Sequence, residues 1–227
     1  ISQGSSVETT VAEKKSFISE IKFGLNYLWN DRPLRRLVAT TTSLGLFYSL
    51  STSTLILFIT EILEVQAKYF GVLMAGAGSG GVLGGVLTPV LSKKFGRGAV
   101  LAVAIFISSI TVLFQGLSPN VWVFGVIGFI STFSITNWNI LLMSCYQVLI
   151  PAELYGRIHG ARRTFVWGVM PIGALLSGVL GTAFGSLTTI IIGGVGMLFA
   201  SLFVILHPLA RMRKLPTAPE NQEVDAA

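Results

Sequence analysis

The chain has 227 residues, of which 52% are hydrophobic and 11% charged, with a mean hydropathy of +0.74. A soluble domain carries about 25% charged residues, so a water-soluble enzyme or binding module is excluded and membrane spans become the unit of counting. The net charge of +6 and a pI near 9.7 would suit nucleic acid, but no base-stacking aromatics interleave with the basic islands, and the excess reads as membrane topology.

The chain opens on ISQGSSVETT, with no Met, no basic n-region and no cleavage site, so it reads as a chain cut from a longer one and not as a signal peptide. Residues 1–15 are polar and are expected to form a disordered cytoplasmic linker. In residues 16–33, Phe17, Ile21, Leu25 and Leu28 recur at helical spacing, with Ser16 and Pro33 as start and stop signals. This predicts an amphipathic helix along the cytoplasmic membrane face.

Six uncharged runs follow inside a bundle spanning 34–209: Leu37 to Thr60, Tyr69 to Ser92, Gly98 to Leu117, Val121 to Ile150, Thr164 to Phe184 and Thr188 to Leu206. Each is long enough to cross about 30 Å of hydrocarbon, and none alternates as barrel strands do. An all-α membrane protein with six transmembrane helices is predicted. With the N-terminus in the cytoplasm, fifteen of the sixteen Lys and Arg fall on the inner side and Lys68 alone on the outer. That bias puts both termini in the cytoplasm. Residues 210–227, with Arg211, Arg213 and Lys214 ahead of an acidic end, are expected as a cytoplasmic tail against anionic headgroups.

The runs differ in character. The third and sixth are almost wholly aliphatic and are expected to face lipid. The first and fourth hold most of the hydroxyl and amide side chains, which are tolerated at membrane depth where they face protein or a watery cavity. Those two runs are therefore the expected cavity walls. Cys145, the single cysteine, reads as a small buried residue.

The second run contains MAGAGSGGVLGG, in which Gly76, Gly78 and Gly81 fit the G-x-G-x-x-G spacing of nucleotide-binding turns. The rest of that mechanism is missing: no Asp or Glu lies between Glu64 and Glu153, and no G-K-S/T follows. Gly76, Gly80 and Gly84 instead recur every four residues, as do Gly173, Ser177 and Gly181 in the fifth run. Small residues at that spacing let two helix backbones approach closely in lipid. The same device in the middle of runs one to three and of runs four to six predicts a 3+3 inverted repeat.

Six such helices behind an amphipathic lead-in resemble the C-terminal half of a major facilitator superfamily transporter, and most closely the branch containing the enterobactin exporter and macrolide-efflux-type proteins. The likeness rests on an inner loop with Gln147 and Pro151 followed by Gly156 and Arg157, then a helix with Pro171, Gly173 and Gly178, and covers about residues 16–210. Lys94, Gly96 and Arg97 match the superfamily's inner-loop motif, whereas Pro89, Lys93 and Gly98 stand at its Gly, Asp and last basic positions. The missing Asp puts a charge relay at this loop in doubt.

The resemblance implies half of a twelve-span fold, with the first and fourth runs lining a central cavity and an N-terminal six-helix half as partner. It further implies an antiporter of a bacterial plasma membrane that exports a hydrophobic or amphipathic small molecule, such as a drug or siderophore, by alternating access. On that footing Thr136, Asn137, Trp138 and Asn139 are the candidate solute contacts, with Phe47, Tyr48 and Ser51 opposite them. An interhelical hydrogen bond is the competing role for the two Asn, and bonding to the helix's own carbonyls for the first run's hydroxyls. Arg157, Arg162 and Arg163, with Glu153 nearby, are either a switching ion-pair network or a topology signal alone. His159 and His207 have no partners at metal-ligand spacing, so no metal and no cofactor are expected. No acid or base lies deep in the runs, which argues against a membrane enzyme and assigns any ion-coupling residue to the other half. The alternative reading is a free-standing six-span protein acting as a homodimer or scaffold.

Overall fold

The computed structural model describes residue 24 and residues 26–205. The expectations for the linker 1–15, for most of the lead-in helix and for the tail lie outside the described residues. Six helices account for the bundle: α1 (Arg32–Ser53), α2 (Ala67–Phe95), α3 (Arg97–Gln115), α4 (Val121–Leu149), α5 (Ala152–Phe184) and α6 (Ser186–Ile205). A short α turn, Leu55–Leu57, and a π turn, Phe58–Ile62, carry α1 onward. All six are long and apolar enough to cross a membrane.

Helix starts follow local chemistry. The Asp31 carboxylate accepts a hydrogen bond from the Leu34 amide at 3.0 Å, which caps α1. Pro33 therefore sits in the first turn of α1, where its missing N–H costs nothing, and does not end the lead-in helix as its position in the sequence suggests. Residues 26–30 are helical and the break falls at Asp31. Asn120 caps α4 in the same way, accepting from the Val123 amide at 2.9 Å. Pro151 precedes α5, which runs unbroken from Ala152 through Gly156, Arg157, Arg162 and Arg163. Gly156 and Arg157 thus belong to a helix and not to an inner loop. Ala, Glu, Leu and Arg are strong helix formers, so the charged island carries no stop signal.

Two joints are nearly absent. Gly96 alone separates α2 from α3, and Gly185 alone separates α5 from α6. Their dihedrals match, at φ 88° and ψ 145° for Gly96 and φ 84° and ψ 162° for Gly185. Side-chain-bearing residues are essentially excluded from that backbone region. Gly84 and Gly173 each stand twelve residues ahead of the linking glycine. A Cβ added to Gly84 would lie 2.6 Å from the Phe133 carbonyl oxygen, and one added to Gly173 would lie 2.5 Å from that of Leu46. The two triplets, α1 to α3 and α4 to α6, thus repeat each other in joint and in contact.

The triplets are interlocked. α1 packs on α5 and α6, α4 packs on α2 and α3, and α3 packs on α6, whereas neighbours within a triplet meet far less. Leu34, Leu37 and Leu44 of α1, Trp138, Leu141 and Tyr146 of α4, Ile105 of α3 and Met197 of α6 share one buried cluster. A second, smaller cluster at the other end joins Phe58, Ile59, Phe124 and Ile190.

Composition misassigns two helices. In the most apolar stretch of α3, 61% of residues are buried inside the bundle, and in α6 44%, against 11% for each of α2 and α5. The aliphatic helices are thus supports of the bundle more than lipid-facing walls. Gly193, Gly194 and Gly196 explain the close fit of α6: a Cβ added to them would run into the Ser51 hydroxyl and Phe47 carbonyl, the Leu113 backbone and the Phe47 ring respectively. Lipid tails and Leu side chains are equally apolar, so hydropathy does not distinguish these neighbours.

Candidate solute pathway

Two groups stand out among the hydroxyls of α1. Thr40, Ser43, Thr52 and Ser53 donate to carbonyls of their own helix, at 2.8, 3.0, 2.9 and 2.7 Å. Such back-bonding satisfies the hydroxyl without a ligand. Ser49 and Ser51 instead reach across the bundle, to the Met170 carbonyl of α5 at 2.7 Å and the Ile190 carbonyl of α6 at 3.2 Å. On α4, Thr132 donates to the Ala77 carbonyl of α2. Asn137 donates to the Phe133 carbonyl at 2.8 Å and accepts from Thr88 of α2 at 2.8 Å.

These bonds sort the expected solute contacts. Asn137, Trp138 and Ser51 are buried between helices, at 1%, 4% and 0% exposure, so their side chains are spent on packing and not on a cavity wall. Thr136 is half-buried, its hydroxyl 3.2 Å from where a Cβ on Gly81 would stand. Tyr48 packs against the main cluster, and Phe47 lies over Gly196. Asn139 is exposed. The chain by itself does not gather the seven into one site. The reason is rotational: residues 137, 138 and 139 are successive on a helix and point about 100° apart, so they cannot share a face.

The glycine ridge sorts in the same way. Gly80 and Gly84 press on the backbone of α4, Gly173 on that of α1, Gly181 on Thr54, and Ser177 is fully buried. Gly76 is the exception, because nothing lies within 4 Å of its added Cβ. It faces open space and is not a packing glycine.

The described residues line two clefts of small-molecule size on this surface. One, of about 590 Å³, lies between α1 and α6 and is lined by Arg36, Thr40, Ser43, Phe47, Phe199 and Phe203. The other, of about 870 Å³, lies between α2 and α4 at the opposite end, with Glu64, Tyr69, Gly76 and Trp122 among its lining. The sequence reading missed this second cleft. Its signal was Glu64 and Gln66 just ahead of the second uncharged run and Trp122 at the start of the fourth.

A family model described as transmembrane secretion effector matches residues 3–226. The chain belongs to this family of the major facilitator superfamily. It is also 27% identical over 164 residues to the uncharacterized MFS-type transporter YqjV of Bacillus subtilis (strain 168), a match covering 70% of this chain and 38% of that protein. The chain thus spans well under two thirds of the relative's length. As a facilitator-superfamily chain it is an integral membrane protein of a transporter family, not of an enzyme family.

The superfamily's loop motif lands at one end of the bundle. Lys94 lies in the last turn of α2 with its ammonium 5.3 Å from the Phe95 ring, Gly96 is the joint, and Arg97 opens α3. Arg163 stacks over Trp167 at 4.4 Å. Arg162 is buried and lies 4.4 Å over the Tyr146 ring, with Met143 sulfur 3.8 Å from its guanidinium. This facilitator chain therefore anchors one arginine of the island inside the bundle, against α4.

Proposed function

We propose that the chain is one half of an alternating-access secondary transporter that exports a hydrophobic or amphipathic small molecule. The supporting observation is the uncovered surface of α2 and α5, the middle helices of both triplets, in which 11% of the most apolar stretch is buried. Matching open faces on matching helices suit a second bundle related to this one, rocking against it around a midplane site. In this reading Asn139 and Thr136 of α4 and Phe47 of α1 touch the solute. Asn137, Trp138 and Ser51 hold the walls in place. The basic end carrying Lys93, Lys94, Arg97 and Arg157 lies in the cytoplasm of a bacterial cell, and both termini lie there with it. Described residues offer no carboxylate inside the bundle core, so proton or ion coupling falls to the partner half.

The test is uptake into everted membrane vesicles that contain the chain alone or the chain fused behind a six-helix N-terminal half, over a panel of amphipathic drugs and siderophores. Energy-dependent uptake by the fused form alone is the expected result. Uptake by the chain alone would overturn the two-bundle mechanism, and uptake by neither across the panel would overturn the export reading.

A further inference from the structure

The cleft between α1 and α6, of about 590 Å³, is a groove with one charged end. On α1, Arg36, Ala39, Thr40, Ser43 and Phe47 recur at helical spacing along one face, and on α6 Gly196, Phe199, Ala200 and Phe203 do the same. The two helices run in opposite directions, so Arg36 and Phe203 meet in a small adjoining pocket while Phe47 lies over Gly196 at the far end. Phe47 stands eleven residues after Arg36, a rise of about 16 Å. That length matches one leaflet of a hydrocarbon core ~30 Å thick. Gly196 and Ala200 give the groove a buried floor, and Phe199 and Phe203, 65% and 71% exposed, stand as one wall. The Thr40 and Ser43 hydroxyls donate to carbonyls of α1, so the groove below Arg36 asks nothing polar of its occupant.

The charged end is basic. Among the described residues no carboxylate pairs with Arg36, and Asp31, the nearest acidic residue in sequence, spends its carboxylate on capping α1. Arg35 donates to the Trp29 carbonyl at 3.4 Å, and Lys93, Lys94 and Arg97 flank the joint between α2 and α3, whose Gly98 lines the same small pocket as Arg36. We infer that this cleft seats an acyl chain of one anionic phospholipid, with the lipid phosphate held by the Arg36 guanidinium. The guanidinium fork matches phosphate geometry, and the surrounding cations favour a lipid of net negative charge over one that carries a choline. The lining holds no residue of α2 or α5, the faces left for a second bundle, and shares only Phe47 with the solute contacts of the export reading.

The full chain in detergent, titrated with dioleoylphosphatidylglycerol and separately with dioleoylphosphatidylcholine, tests the site by native mass spectrometry, which counts the lipids retained. The first phosphatidylglycerol should bind about fivefold more tightly than the choline lipid, the worth of one basic residue at a membrane surface. Soluble glycerol phosphate should not bind, because it lacks the chain that fills the groove. Arg36→Gln should bring phosphatidylglycerol down to the level of the choline lipid, while Lys93→Gln, which removes the same charge at the same end but outside the lining, should not. Ala39→Phe should remove the first site for both lipids by filling the groove, and Gly178→Phe, on an open face of α5, should leave it. Monodisperse elution with unchanged helical circular dichroism verifies that each variant folds. Equal affinity for the two lipids, an unchanged preference in Arg36→Gln, an equal loss in Lys93→Gln, or full binding by Ala39→Phe would overturn the inference. So would a site that opens only when residues 206–227 are removed, which would make the chain's own C-terminal residues the occupant. Lipid binding needs no second bundle, so its failure leaves the export reading untouched, and absence of vesicle uptake leaves the lipid site untouched.

Discussion

Thr88 donates a hydrogen bond to Asn137 across 2.8 Å and so ties α2 of one triplet to α4 of the other. Both ends of the amide are engaged: its nitrogen donates to the Phe133 carbonyl and its oxygen accepts from Thr88. Asn137→Ala and Thr88→Val should each lower unfolding stability in detergent, and a double-mutant cycle should return a coupling of about 0.6–1.7 kcal/mol, the range for interhelical bonds in membrane proteins. A change in solute affinity with no change in stability would instead return Asn137 to the pathway.

Gly84 and Gly173 meet backbone carbonyls, which cannot swing aside as a side chain can. Alanine at either should push the helices apart and cost about 1–3 kcal/mol, as overpacking does in tight cores. Gly76→Ala should be neutral or slightly stabilising through helix propensity. Thermal unfolding of the three variants, run side by side, checks the contrast.

Gly96→Ala and Gly185→Ala should each cost about 1–3 kcal/mol, because both joints need a backbone region that a Cβ disfavours. Gly156→Ala, on the helical α5 with nothing within 4 Å of its Cβ, should cost nothing measurable. A large loss at Gly156 would mean that this stretch is a loop after all.

Cysteine at position 68 should react with a membrane-impermeant maleimide in intact cells, and cysteine at position 94 only after permeabilisation, if the basic end is cytoplasmic. The native Cys145 is buried at 4% exposure, so background labelling should be low. The opposite pattern would invert the orientation.

Asn139→Ala in the two-half transporter should reduce solute affinity by about threefold to tenfold, the worth of one polar contact, with unfolding temperature unchanged because the side chain is exposed. Whole-cell accumulation across the drug and siderophore panel reads it. Unchanged accumulation of every compound would remove Asn139 from the pathway.

Much of the fold was legible in the residues because the signals are local. Uncharged runs of membrane length predict helices whatever their neighbours, and small residues spaced by four mark close helix approach on α2 and α5. What the letters do not carry is rotation and neighbour. Asn137 and Asn139 are chemically the same two residues apart, yet one is buried under Thr88 and the other is exposed, and only the angle at which α4 lies on α2 decides between them. The charged island at Arg157 to Arg163 reads as a loop by hydropathy, but α5 passes through it, because charge is compatible with helix and only burial or a breaker would end one. The sequence by itself therefore determined the number of spans and the internal repeat, both of which follow from local apolarity and spacing. The tertiary structure alone decided that the aliphatic α3 and α6 support the core, that Gly76 opens a cleft where Gly80 and Gly84 close a contact, and that the two triplets exchange partners, since in lipid an apolar face pays no distinctive penalty that would reveal which neighbour covers it.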